Sequence, residues 1–407
     1  MSKLYYSLSL IAVVALAASC SNNEVPEQNQ AGTTGVQILL NSGATTRAYN
    51  ASGIADKESN INRVAVAIFK SNGTLNALQE FEASSLSKDG TAVKTPTIKC
   101  DAGNNQTILV VANAPAGLFN GVTSPSAFLA KEVVMQDSIS ADNIPMSGTL
   151  RANGDNATFI PGTSLTAPVT FNLVKDQTVT KTIYLSRLAN RIVLRNLTVD
   201  PSLLGYRQQG SDYYYPYVSA AFLYNAPGKA QVDTMTAFKP VSEYPLFTDL
   251  YAGRSGAKSP NRTSGTLTGV GALCVDMTFY YNVKYPDGTD DTAFYFYSFP
   301  NNNAYFPSTG TSDATISRNT KLVVQGTDSI GTKSYYPISI NSTQGTITSS
   351  GDPYAGDGRT YRNRVYYVDV TLKGQGSNSP DIDPLPTAMV ANIYVDNWSE
   401  STQQVEY

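Results

Sequence analysis

Nearly every apolar stretch in this 407-residue chain either alternates with a period of two or runs for only a few residues before Gly, Asn, Asp or Pro ends it. "NRVAVAIFK" (62–70), "QTILVVANA" (106–114), "VSAAFLYNA" (218–226), "TAFYFYSFP" (292–300), "TKLVVQGTD" (320–328) and "YRNRVYYVDVTLKG" (361–374) are of this kind. They are rich in Val, Ile, Thr, Tyr and Phe, which suit a pleated, half-buried surface. Helical pattern is confined to "PSAFLAKEVVMQ" (125–136) and a turn at 201–207, and no fixed-period repeat is present. The chain is therefore expected to be all-β, built as sandwiches, with 41% apolar residues to fill their cores.

Composition removes most catalytic classes. The chain contains no histidine, so triads, Cys-His dyads and His-ligated metal sites are excluded for want of an imidazole. With 29 basic and 32 acidic residues and no basic block, nothing in it neutralises a run of phosphates, and no nucleic-acid partner is expected. Enzymes built on carboxylates survive the filter, but no pair of acids is marked out for one cleft.

The N-terminus reads as a targeting segment: Lys3, the apolar run 8–18, then Ala17, Ala18 and Ser19 directly before Cys20. This resembles a bacterial lipoprotein signal over residues 1–19, which implies a lipid (palmitate-bearing) anchor on Cys20; an ordinary secretory signal is the other reading. The polar run 21–34 follows as a tether.

Other candidates favour ordinary structure. Asp287, Asp290 and Asp291 in "YPDGTDD", and Asp352 and Asp357 in "GDPYAGDG", have oxygen ligands for calcium, but the same spacing is common turn chemistry, and no metal or cofactor is expected. The 26 tyrosines offer rings for stacking on sugars, and equally suit strands with wet hydroxyls. Cys100 and Cys274 read as separate buried residues. Four Asp-Ser/Thr-aliphatic tripeptides, at 137, 233, 291 and 328, are a weak O-glycosylation signal.

The two ends of the chain are more informative. In "GVQILLNS" (35–42) Val36, Ile38 and Leu40 share one face of a strand. Arg47 and Ala48 follow in "ATTRAYNASGIADKESN", which has no apolar period and offers a trypsin-like protease an extended site with arginine at its centre; alone, Arg47 reads as a solvated loop residue. At the other end "GQGSNSPDIDPLP" (374–386) reads as a stiff spacer that reaches about 40 Å. Beyond it Met389, Ala391, Ile393 and Val395 share one face, with Val390, Tyr394 and Trp398 on the other, so the chain is expected to end in a strand kept away from its own domain. The division expected is 1–19 signal, 20–47 propeptide with a first strand, 48–181 first sandwich, 182–385 second sandwich with spacer, and 386–407 terminal strands.

In this order, Cys20, the strand before "TTR-A", "FYFYSFPNN", "YYPISI", "YRNRVYYVDVTLKG", the Pro-rich spacer and "NWSESTQQVEY" resemble the Bacteroidales FimA-type fimbrillins, or type V pilins, with the ending around Trp398 most like the major subunit of short fimbriae. The resemblance implies two transthyretin-like β-sandwiches and a structural, non-enzymatic role. It implies a lipid-anchored precursor at the outer membrane, cut between Arg47 and Ala48 by an Arg-specific surface protease. The strand carrying Val36, Ile38 and Leu40 is then removable, and Met389, Ala391, Ile393, Val395 and Trp398 form a donor strand for the next subunit. The partners implied are identical subunits in a homopolymer together with anchor and tip subunits, in a surface fimbria that supports adhesion. A surface lipoprotein that binds glycans through Tyr-rich loops is the alternative.

Overall fold

The computed structural model describes residues 32–42, 57–134, 142–150, 169–199, 207–209, 212–214, 217–232, 250–252, 274–276, 282–284, 294–304, 317–327, 332–342, 346–349 and 355–397. Within them the period-two segments become strands, and the strands form two sandwiches. In the first, one sheet runs Thr178–Tyr184, Thr33–Asn41, Ala92–Lys94, Ser87–Asp89, with Ile98–Asp101 also paired to Thr33–Asn41. The opposing sheet runs Ser186–Arg187, Met146–Thr149, Gly103–Ala112, Arg63–Phe69, Leu75–Glu82, with Phe171–Leu173 beside Gly103–Ala112. Alternation decides what lies between them: Val36, Ile38 and Leu40 from one sheet meet Val64, Val66, Ile68, Ile108 and Val110 from the other. Arg63–Phe69 reads as a nearly continuous apolar run because its other face, Ala65, Ala67 and Phe69, is buried too.

The second sandwich repeats the scheme. One sheet runs Asn282–Lys284, Asn190–Val199, Arg364–Leu372, Met389–Asn397, Thr346–Ser349, with Phe294–Ser298 on Asn190–Val199. The other runs Leu250–Ala252, Tyr217–Pro227, Lys321–Thr327, Lys333–Ser339, with Cys274–Asp276 on Tyr217–Pro227. Asparagines turn several strand ends: Asn113, Asn225 and Asn341 adopt positive φ, which Asn tolerates better than most residues, and each side-chain amide bonds nearby backbone.

Three expectations are corrected. The boundary belongs near residue 188 rather than between 181 and 182, because Thr178–Tyr184 and Ser186–Arg187 pair with strands of the first sandwich and only Asn190–Val199 joins the second. The helix expected over 125–136 is a single turn, Pro125–Leu129, capped by the Ser124 hydroxyl, and Glu132–Val134 is a strand paired with Lys229–Gln231. The last strand is not kept away from its domain. Met389–Asn397 pairs antiparallel with Arg364–Leu372 over its whole length and parallel with Thr346–Ser349 on its other side. Met389, Ala391, Ile393 and Val395 are buried there, because their alternation matches the open face of that sheet and the spacer folds back instead of extending.

A polar seam joins the sandwiches. The buried Glu58 carboxylate accepts two bonds from Arg191 Nη1, at 2.9 and 2.8 Å, and one from the Tyr297 hydroxyl at 2.6 Å. Arg187 Nε donates to the Glu58 carbonyl, and Arg362 of the second sandwich reaches the Arg187 and Ser186 carbonyls and the Ser147 hydroxyl of the first. Burial pushes the Arg187 guanidinium down to about 10, with Glu58 opposing the shift. Burial and then the Glu58 carboxylate hold the Tyr297 phenol well above its ordinary range.

Candidate functional site

The first strand, Thr33–Asn41, lies inside its sheet rather than on an edge. On one side it runs parallel to Thr178–Tyr184, from Gly35 opposite Thr178 to Asn41 opposite Tyr184. On the other it is antiparallel to Ile98–Asp101 and Ala92–Lys94. The bonds that hold it come from both walls. Gly35 N–H donates to the Gln177 carbonyl (2.9 Å), Leu185 N–H to the Asn41 carbonyl (2.8 Å), and Thr95 N–H to the Ile38 carbonyl (3.0 Å). Ile38 N–H donates to the Thr95 hydroxyl at 3.0 Å, and the Thr34 hydroxyl to the Gln177 carbonyl at 2.7 Å. At Gly35 the walls come close: a Cβ there would lie 2.6 Å from Thr178 Oγ1 and 2.7 Å from Thr97 Cγ2.

Val36, Ile38 and Leu40 are 0%, 0% and 1% exposed, so each fills its place in the core completely. At about 1.5–3 kcal/mol for each buried side chain, the three account for about 5–9 kcal/mol. Without this strand the core would open as a groove one strand wide, walled by Thr178–Tyr184 and Ile98–Asp101. Cys100 looks into that space opposite Thr34; it is a free, buried thiol, pushed up to about 11 by burial and then by Asp101. Beyond the strand, the Ser42 hydroxyl donates to the Ser59 carbonyl at 2.9 Å.

Of the residues singled out from sequence, the structure brings Val36, Ile38 and Leu40 together in one core and Met389, Ala391, Ile393 and Val395 in the other. Cys20, Arg47, Ala48 and Trp398 lie outside the described residues, as do Asp287, Asp290, Asp291, Asp352 and the four tripeptides. Asp357 acts in a turn: it accepts from Asn341 Nδ2, Arg359 and the Tyr361 hydroxyl. Tyr224, Tyr297, Tyr335, Tyr336, Tyr361, Tyr366 and Tyr367 are buried strand or turn residues, and Tyr184, Tyr295 and Tyr394 are half-buried. The groove walls, Thr178–Tyr184 above all, were not marked by any motif; parallel pairing across some 140 residues leaves no local signature.

The family model for the major fimbrial subunit protein (FimA) matches residues 36–187, from within the first strand to the end of the first sandwich. A "Major fimbrium subunit FimA type-5" of Porphyromonas gingivalis is 24% identical, over 97% of this chain and 96% of its own length. Among solved structures, a fimbrilin of Porphyromonas gingivalis superposes with a TM-score of 0.57 at 16% identity, covering 91% of this chain and 98% of the other. A candidate cell adhesion protein of Parabacteroides distasonis does so with a TM-score of 0.58 at 17% identity, covering 90% of this chain and all of the other. These structures share the fold, and the sequence match begins at the strand that fills the groove. The match over the first sandwich and the similarity of a fimbrium subunit along the full length support a FimA-type fimbrillin.

Proposed function

We propose that this fimbrial subunit is a shaft pilin that polymerises by strand replacement, with the groove beneath Thr33–Asn41 as its acceptor. In this reading the precursor is exported with lipid on Cys20 and cut after Arg47, and the first strand leaves with the propeptide and its anchor. The C-terminal segment of a neighbouring subunit then takes the strand's place.

The observation that carries the reading is the position of the first strand. It is the most N-terminal described element, contributes three fully buried side chains, and is continuous with the chain beyond it only through the stretch that contains Arg47. A loss of about 5–9 kcal/mol is comparable with the whole stability of a typical domain, so the strand cannot simply drift out; a replacement must restore apolar burial and ladder bonds. A head-to-tail contact of this kind does not close on itself and builds a filament.

The burial of Met389, Ala391, Ile393 and Val395 changes the proposed donor. Withdrawing their strand would leave Arg364–Leu372 paired on one side only, detach Thr346–Ser349 from the sheet and open the second core. We therefore place the donor in the segment that starts at Trp398, with Met389–Asn397 as the root that ties it to its own subunit.

Limited trypsin treatment of the purified precursor tests the scheme. One cut after Arg47 is expected, followed by ladders that resist mild SDS. A chain that stays monomeric after the cut and after loss of residues 1–47 sinks strand replacement.

A further inference from the structure

The spacer 374–386 does more than connect two strands. Arg364–Leu372 and Met389–Asn397 are antiparallel neighbours, which a tight turn could join, yet the connection leaves their sheet, bridges the edge strand of the opposite one at Ser377 and then runs over that sheet's face at Tyr224 and Lys321. There Ser377 and Tyr335 exchange backbone bonds at 2.8 and 2.9 Å, and the Tyr336 hydroxyl donates to the Gly374 carbonyl at 2.9 Å. Gly376 lies so close that a Cβ would meet the Tyr335 carbonyl oxygen at 2.6 Å.

Further along, the Tyr224 hydroxyl donates to Asp381 Oδ2 at 3.0 Å, and Lys321 Nζ donates to Asp383 Oδ1 at 3.1 Å and to the Asp381 carbonyl at 3.4 Å. Lys321 and Tyr224 are both 0% exposed and face each other across adjacent strands, beside a small apolar cluster of Ala220, Phe222, Tyr224, Val323 and Tyr335. A buried ammonium is tolerated where charge and hydrogen bonds compensate it, and here groups of the spacer supply both. At the far end, Lys373 and Gly374 N–H both donate to the Ala388 carbonyl, which fixes the start of the last strand.

We infer that residues 374–386 form a strap that clamps the second sandwich through Lys321 and Tyr224 and locks the last strand against being drawn out of its sheet. The consequence for a filament rests on the strand-replacement reading. Tension entering through the C-terminal segment pulls Met389–Asn397 along its own axis, and the strap anchors the opposite end of that strand.

Hydrogen exchange on the full, uncut chain tests the strap directly. In Lys321→Met, Tyr224→Phe and Asp383→Asn variants, amides of 376–386 should lose protection by about tenfold or more while those of Gly103–Ala112 stay as in wild type. Protection of the segment that is unchanged in Tyr224→Phe and Asp383→Asn, the two mildest changes, overturns the inference, even if Lys321→Met fails to fold. Polymers of the variants should also come apart in SDS at a lower temperature than wild type; equal resistance overturns the mechanical role. The exchange measurement uses the monomer, so it decides the strap even if the wild-type chain forms no polymer, a result that would sink only the strand-replacement reading.

Discussion

Ile38 is the residue at which the core of the first sandwich and its proposed assembly depend on the same atoms. It is 0% exposed, its N–H and C=O both bond Thr95, and its side chain packs between the two sheets. Ile38→Ala leaves a cavity, and the uncut chain should lose about 2–5 kcal/mol in denaturant unfolding. Polymers assembled after the cut should not differ from wild type, because the substituted strand is gone; a defect that persists in them would show that the strand stays. Cys100 reports on the same event. Its thiol is 6% exposed opposite Thr34, and burial raises its pKa to about 11, so a thiol reagent should react slowly with the precursor near neutral pH. In a chain with Cys20 and Cys274 replaced by Ser, the rate should rise at least about tenfold once the first strand has left, and fall again on polymerisation. Labelling that never changes would mean that the groove is never open.

The terminal strands make a sharper pair of predictions. Truncation after Asn397 should leave a folded monomer that is cut normally and does not polymerise. Truncation after Pro386 removes the buried side chains of Ala388, Met389, Ala391, Ile393 and Val395 and the partner of nine ladder residues, and should unfold the second sandwich, seen as loss of its cooperative transition. If both truncated chains fold equally well, the last strand does not belong to its own core. The existence of these strands was legible because a period of two with β-branched and aromatic residues is a local property, and Val36, Ile38 and Leu40 carry it plainly. Their neighbours were not legible. The stretch 180–200 reads as one long alternating run because Leu185, Leu188 and Ala189, where the chain passes between sandwiches, are as apolar as the strands on either side. The spacer's Pro and Gly residues suggest a free linker. Only the fold brings Asp381 and Asp383 to Tyr224 and Lys321, residues that look ordinary within their own strands.

At the scale of the molecule, the two sandwiches share one connected apolar cluster, which includes Ala65 and Val111 of the first and Ile192 and Val368 of the second, and the Glu58 seam lies beside it. Sequence reading missed Glu58 because an acid beside a lysine in a polar stretch looks solvated; its partners, Arg191 and Tyr297, come from strands 133 and 239 residues away. A cut after Arg47 would leave Glu58 near the new N-terminus, so the seam would also stop that end from fraying further. Glu58→Gln keeps the shape and removes the charge that compensates Arg191, whose side chain is only 8% exposed. Breaking one half of a buried pair typically costs about 3–5 kcal/mol, so this substitution should lower stability by that order and split a single calorimetric transition into two as the sandwiches uncouple. Adding Arg191→Met should recover part of the loss, since an apolar side chain of similar length removes the orphaned charge rather than leaving it buried. A Glu58→Gln chain that melts in one transition at the wild-type temperature would mean that the apolar cluster alone couples the sandwiches, and that the seam adds nothing to the rigidity of a subunit in its filament.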